Sequence, residues 1–313
     1  MAQVLWTWGD DCFRLRGQAD WSPPRPDRIE PAKSEDLGHP SRPRRRLTQD
    51  VSCVKMSEKS KSRLARQIYR RHIHFVRDLR DMYIFLEQAL SLLEEARAAY
   101  SQSEHKKDRR YYVPAVGRRK FARRKDDELR GIYDRYVGHS LYATFLVNGV
   151  AMFECFLSDI LTYALHEYPK SITLKIHDVA ACDTIPVDIL LDATDRDSAF
   201  AEIIRRRVES VMFSRPQAYI RYISEICGVD FSDEVFACYY EIKATRDLLV
   251  HNDSKINAVY LSKAGTKARG QIGDPVPING FYFRHCVAVL SRISGIVSRD
   301  SHKKFPPREA GSS

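Results

Sequence analysis

The stretch LYATFLVNGVAMFECFLSDILTYAL, residues 141–165, is apolar almost all the way round a helix. A helix with no polar face is buried on every side, so this one is expected at the centre of a bundle. It belongs to a longer helical run predicted over residues 127–168 and ended by Pro169, since the residue before a proline is pushed out of helical geometry. Asn148, Gly149 and Glu154 interrupt it before ~18 consecutive apolar residues accumulate, so no membrane span is expected. A carboxylate among apolar neighbours needs a cation or hydrogen-bond donors. Glu154 is therefore read first as half of a buried ion pair and second as a catalytic group.

Downstream, residues 172–192 look irregular, with a short strand or a helical turn. Helices are predicted at 196–213, 216–227 and 232–250, the second opening on Pro216 at an early helical position. A polar stretch with Gly265, Gly270, Gly273, Pro275 and Pro277 precedes a last helix over 280–298, and there is no internal repeat. Upstream, residues 59–103 contain neither glycine nor proline. Leu64, Ile68, Phe75, Leu79, Met82, Leu86, Leu90 and Leu93 recur mostly three or four apart, which predicts one long amphipathic helix or two with a short break. Its other face carries Arg63, Arg66, Arg70, Arg71, Arg77 and Arg80, read either as a solvated face or as a contact for an RNA backbone. The fold class is therefore all-α: a helical bundle over 126–305, preceded by a long amphipathic helix over 56–103 and a basic linker over 104–125.

Of the 313 residues, 51 are Lys or Arg and 41 Asp or Glu, a formal net charge of +10. Residues 1–125 hold 29 basic and 16 acidic residues (+13), and residues 126–313 hold 22 and 25 (−3), so attraction to an anionic partner resides in the first half. Within it, Lys106, Lys107, Arg109, Arg110, Arg118, Arg119, Lys120, Arg123, Arg124 and Lys125 make up half of residues 106–125, with Tyr111, Tyr112 and Phe121 among them. Cations interleaved with aromatics suit a flexible loop that grips phosphates and stacks bases, and RNA is the expected partner; a merely solvated linker has the same composition. Six of the 14 prolines fall at 23–43, and residues 1–55 are read as disordered or as sequence upstream of a start at Met56. Residues 306–313 are read as a disordered tail. The amino terminus lacks the pattern of a secretory signal. Seven scattered cysteines (Cys12, Cys53, Cys155, Cys182, Cys227, Cys238 and Cys286), never spaced as CxxC, argue for a reducing cytoplasm without zinc or a disulfide framework.

In the predicted helix 232–250, Val235, Cys238, Tyr239, Ile242 and Leu249 share one face, and Arg246 continues it. An arginine directed at an apolar surface needs an anion, a polar cleft or a partner subunit. His251 follows five residues later, ~140° round an ideal helix, so the two meet in one chain only if the helix ends or frays there. A two-fold dimer offers another meeting point. With 35 arginines and 10 histidines in 313 residues, about one such pair is expected by chance at a fixed spacing, and Arg66 with His72 is a second at a looser one. Capping of the helix end by both cations is the plain alternative to catalysis. His166, His177, His285 and Cys286 have no partner at ligand spacing and are read as core or surface.

The run RDLLVHNDSKINAVYL, residues 246–261, closely resembles the motif region of the HEPN superfamily: arginine, a polar residue, a few apolar residues and histidine, often followed by asparagine. Here these are Arg246, Asp247, residues 248–250, His251 and Asn252. Ile256, Asn257, Tyr260 and Leu261, together with MFECFLSDIL at 152–161 with Glu154 at an acidic position, resemble the RiboL-PSP-HEPN branch. The resemblance covers about residues 130–300 and leaves 1–125 outside it. It implies a HEPN-like homodimer whose motifs meet at the interface, and a metal-independent endoribonuclease, often a toxin or antiphage defence effector restrained by an antitoxin or other partner protein. No cofactor and no metal is implied. Some relatives have lost catalysis and serve as RNA-binding, nucleotide-binding or assembly modules. Cleavage through the ribose 2′-hydroxyl needs a group titrating near neutral pH and a fixed cation at the phosphate. His251 suits proton transfer and Arg246 charge stabilisation, with Asp247 or Asn252 orienting His251 or contacting the ribose, and Asn257 and Tyr260 in support.

Overall fold

The computed structural model describes residues 63–104, 106–114, 120–182, 184–230 and 234–305. The expectations for residues 1–55, 306–313, Arg118, Arg119 and the first part (56–62) of the helix expected over 56–103 lie outside the described residues. Among the described residues the fold is all-α apart from one small hairpin. Helix α1 (Arg63–Gln102) is unbroken, 40 residues and so about 60 Å long. It buries Leu64, Ile68, Phe75, Leu79, Met82, Leu86 and Leu90, the apolar series legible in the sequence. Helix α2 (Asp126–Arg135) begins with three acidic residues at its positive end and runs through a π-turn (Tyr136–Ser140) into α3 (Leu141–Glu167). The π-turn adds a residue to one turn and so rotates everything after it, a shift the apolar pattern does not reveal.

Helix α3 is the central element. It packs against α1, α5 (Arg196–Met212), α6 (Pro216–Cys227), α7 (Val235–His251) and α9 (Gly280–Lys304). Phe75 of α1 stacks on Phe156 at 5.2 Å between ring centres, and Phe153 meets Tyr239 of α7 edge-on at 5.0 Å. By length and composition the run Asp126–Glu167 is apolar enough to cross a bilayer, with mean hydropathy 1.5 over 18 residues, because Asn148, Gly149 and Glu154 are too few to lower the average. In this fold α3 buries one side, including Leu146, Val150, Phe153, Phe156, Leu157, Ile160 and Leu161, against the surrounding helices, while Leu141, Tyr142, Phe145 and Met152 stay half-buried.

The irregular stretch after α3 contains a short helix, α4 (Val187–Asp192). Its preceding loop is held by the buried Arg207, which donates to the carbonyls of Leu174 (2.8 Å) and Ala180 (2.5 Å) and to the Tyr222 hydroxyl (3.2 Å). Helix α6 ends at Gly228, whose left-handed φ of 67° closes the helix. After α7, Asp253 (φ 48°) and Ser254 (φ 62°) reverse the chain. Residues 254–256 then pair with 273–276 through Val276 N–H to Ser254 O (2.8 Å), Ile256 N–H to Asp274 O (2.8 Å) and Gly273 N–H to Ile256 O (2.9 Å). Between these arms lies α8 (Ala258–Ala264), capped by the Asn257 side chain, which accepts the Tyr260 N–H at 2.8 Å. The last helix begins on the corresponding cap, Asn279, and continues to Lys304 rather than stopping near 298.

The segment 106–125 was expected as a flexible loop and is instead an antiparallel hairpin, β1 (Arg109–Tyr112) with β2 (Phe121–Arg124). β-Branched residues are scarce in both strands, but tyrosine and phenylalanine favour an extended, pleated backbone. The hairpin is anchored by Arg109, which pairs with the buried Asp126 at 3.0 Å and lies over the Tyr100 ring. Ser103 also donates to Asp126.

Candidate functional site

The site is built on the second half of α7. One strip of this helix is covered near its start, where Phe236 and Tyr239 are buried, and opens towards its end at Lys243, Arg246, Asp247, Val250 and His251. Arg246 is three-quarters buried, its side chain 24% exposed. Its Nη1 reaches Asp247 Oδ1 at 3.4 Å, while its Nε is buried with no hydrogen-bond partner. An unpaired buried donor on a charged group is costly, and Arg130 Nε is in the same state.

Asp247 is the hub of the cluster. Lys263 of α8 donates to it at 2.9 Å, and Lys243 lies 3.8 Å away on the same helix. Burial pushes its pKa up, but Lys263, Lys243 and Arg246 outweigh that, and the carboxyl is held below the usual range. Lys243 in turn pairs with Glu154 of α3 at 2.5 Å. Glu154 is therefore in the half-buried ion pair expected of it, and the cluster runs from α3 through α7 to α8.

His251 is the last residue of α7 and is exposed. The helix does not fray before it, so the ~140° between the two side chains persists. Among the described residues no hydrogen bond or ion pair joins it to Arg246, Asp247 or Asn252. The turn after α7 is held by backbone and by Asn252. Leu248 O accepts from Asn252 N–H (2.9 Å) and Ser254 N–H (3.2 Å), and the Asn252 side chain donates to Lys255 O at 2.5 Å. Asp247 and Asn252 are thus engaged with lysines and with the turn rather than orienting His251 within the chain.

Asn257 and Tyr260 also have structural partners. Asn257 caps α8, and the buried Tyr260 hydroxyl donates to Glu241 Oε1 at 2.8 Å. Glu241 was not singled out from the sequence. Its carboxylate is buried on α7 and also accepts from Thr245 (2.7 Å), Arg269 Nε (2.9 Å) and, on Oε2, the Tyr282 hydroxyl (2.8 Å). Arg269 lies 3.4 Å over the Tyr282 ring, donates to Thr245 at 3.1 Å and to Pro277 O. This network ties the whole excursion after α7 back onto α7. Only the i,i+4 spacing of Glu241 and Thr245 is visible locally; Arg269 is 28 residues away.

A cleft of about 590 Å³ opens beside the cluster, lined by Asp178, Arg215, Gln217, Val259, Ser262 and Lys263. Lys263 therefore faces both the cleft and Asp247. The alternative pair, Arg66 and His72, does not form a site. The His72 ring bonds Ser294 of α9 at 3.1 Å, and burial, with Arg80 nearby, lowers its pKa. His285 is exposed and Cys286 buried, while His166 packs edge-on to Phe200 and His177 contacts Asp178.

Of the expected RNA-binding residues, Arg109, Arg110, Arg123 and Arg124 lie in the hairpin strands, and Lys120 adjoins β2 by accepting the Val113 N–H at its carbonyl. Lys106 and Lys107 precede β1 and are exposed. Comparison with family models, with curated proteins and with solved structures found no match to this chain.

Proposed function

We propose that this chain is a metal-independent endoribonuclease of the HEPN type, cutting single-stranded RNA by attack of the ribose 2′-hydroxyl at a site where two copies meet. The observation that carries the reading is the state of Arg246 and His251. Among the described residues, neither cation donates to a carbonyl at the end of α7, where Leu248 O is taken by the N–H groups of Asn252 and Ser254. Arg246 keeps a buried Nε without a partner, and His251 stays exposed. A second copy related by a two-fold axis would supply the neighbour each lacks.

In this reading Arg246 binds the scissile phosphate and balances the charge that develops in attack, its guanidinium steadied by Asp247. Held ionised by Lys263 and Lys243, Asp247 competes little for the proton that His251 transfers. Such an enzyme would act as a toxin or antiphage effector in the cytoplasm, restrained by a partner protein.

The test is cleavage of end-labelled single-stranded RNA in excess EDTA by the wild type and by His251→Ala, with the oligomeric state measured by sedimentation. Wild type should leave 2′,3′-cyclic phosphate ends, and His251→Ala should be ~10²–10⁴-fold slower, the usual range for loss of a general acid–base group. Equal cleavage by both proteins, or a wild type that is monomeric at working concentration yet active, overturns the site. A folded dimer that binds RNA without cutting it would be a non-catalytic module of the same fold.

A further inference from the structure

Side chains alternate across a strand, so the register of the hairpin sorts its residues into two faces. Arg109 pairs with Arg124 and Tyr111 with Ala122 on one face; Arg110 pairs with Arg123 and Tyr112 with Phe121 on the other. The first face carries the contacts of the hairpin with the body of the protein, although Arg109 and Tyr111 keep part of their surface exposed. Arg109 pairs with Asp126 and lies over the Tyr100 ring, and Ala122 and Arg124 are half-buried.

The second face is open. Tyr112 is 71% and Phe121 59% exposed, and their rings meet edge-on at 5.7 Å. Beside them Arg110 and Arg123 stand directly opposite one another, both exposed and, among the described residues, in no ion pair. Like charges at directly opposed positions of a ladder repel, and two bare rings in water leave apolar surface unburied. A ligand carrying both anionic charge and planar apolar faces relieves both at once.

We infer that this outward face, Arg110, Tyr112, Phe121 and Arg123, is a docking platform for single-stranded nucleic acid. Bases stack on the two rings while the two guanidinium groups take adjacent phosphates. The inference extends the reading of RNA as substrate, since it names four residues away from α7 that would hold the strand. A duplex is a poor ligand here, because its bases are already stacked on each other and offer no free face. Stacking does not read the sugar, so RNA and DNA strands of one sequence should bind about equally to these residues.

The experiment measures binding of a fluorescein-labelled single-stranded RNA by anisotropy, using the full chain carrying His251→Ala so that the ligand survives. Failure of cleavage and failure of binding are then separate results. Tyr112→Ala with Phe121→Ala should weaken binding at least about tenfold, since one stacked base is worth about 5- to 150-fold. The exchange Tyr112→Phe with Phe121→Tyr keeps both rings and should bind as the parent, which separates stacking from loss of the hairpin. Arg110→Gln with Arg123→Gln should lower the slope of log Kd against log salt by about 1.4, or ~0.7 for each phosphate released from a counterion. In Phe121→Trp the added indole should be quenched on binding.

Three results would each overturn the platform. One is an equal loss from Arg66→Gln with Arg70→Gln on α1, which would mean diffuse attraction to a basic surface. Another is double-stranded RNA binding as tightly as the single strand. The third is an unquenched indole in a protein that binds normally.

Discussion

Replacing Arg269 by methionine tests how the excursion that carries α8 and Lys263 is held to α7. Arg269 is 23% exposed, and its partner Glu241 only 5%. The substitution keeps much of the aliphatic stem but removes the ion pair, the stacking on Tyr282 and the bonds to Thr245 and Pro277. Glu241 then keeps three hydroxyl donors, Thr245, Tyr260 and Tyr282, but no cation. Breaking a buried pair by removing one partner costs roughly 3–5 kcal/mol, because a charge is left behind without compensation. For a domain of this size each kcal/mol lowers Tm by about 2–4 °C, so the expected fall is about 6–20 °C in a calorimetric or circular-dichroism melt. The double variant Glu241→Gln with Arg269→Met removes both charges and should be less destabilised than Arg269→Met alone. A loss below about 1 kcal/mol in the single variant, or a double variant that loses the sum of both singles, would refute the reasoning. The first outcome would mean the excursion is held elsewhere, and the second that the two charges are not coupled.

Three other outcomes are expected. Gly228→Ala should cost about 1–2 kcal/mol in a denaturant melt, since alanine resists the left-handed φ of 67° and its Cβ would lie 2.6 Å from Lys304 Cδ. Tyr219 and Tyr239 share a buried hydrogen bond of 2.5 Å between their hydroxyls, so Tyr239→Phe should cost about 1–3 kcal/mol by orphaning its partner, while Tyr219→Phe with Tyr239→Phe should cost less than that single change. Burial works against the ionised Asp247, but Lys263, Lys243 and Arg246 lower its pKa below the ordinary carboxylate value. Its contribution to stability is therefore fully present above the unfolded pKa of about 3.9 and lost as pH falls through the lower folded value. In acid titrations of the denaturation midpoint, Asp247→Asn should be weaker than wild type at neutral pH and converge with it at the acid end.

Much of the architecture is legible because periodicity is a local property. The apolar series of α1, the all-round apolar α3 ended by Pro169 and the Pro216 start of α6 each depend on residues within a few turns of one another. The hairpin escaped that reading, since four-residue strands of arginine and aromatic residues carry no alternation of polar and apolar. The short α8 lies in a stretch dominated by the glycines and prolines that follow it.

In the candidate site, the chain order alone determines that Arg246 and His251 occupy the last turns of one helix and that Asp247 stands four residues after Lys243. Tertiary structure decided what those side chains touch. It brought Lys263 to Asp247 across 16 residues, Glu154 to Lys243 across 89 and Arg269 to Glu241 across 28. It also set which arginines of the hairpin are engaged and which are free, by turning one face of a two-stranded ladder to Asp126 and Tyr100. The physical reason is the same throughout. Helix and strand periods depend on neighbouring backbone geometry, whereas pairing of charges depends on how finished elements pack, and packing joins positions that no sequence spacing relates.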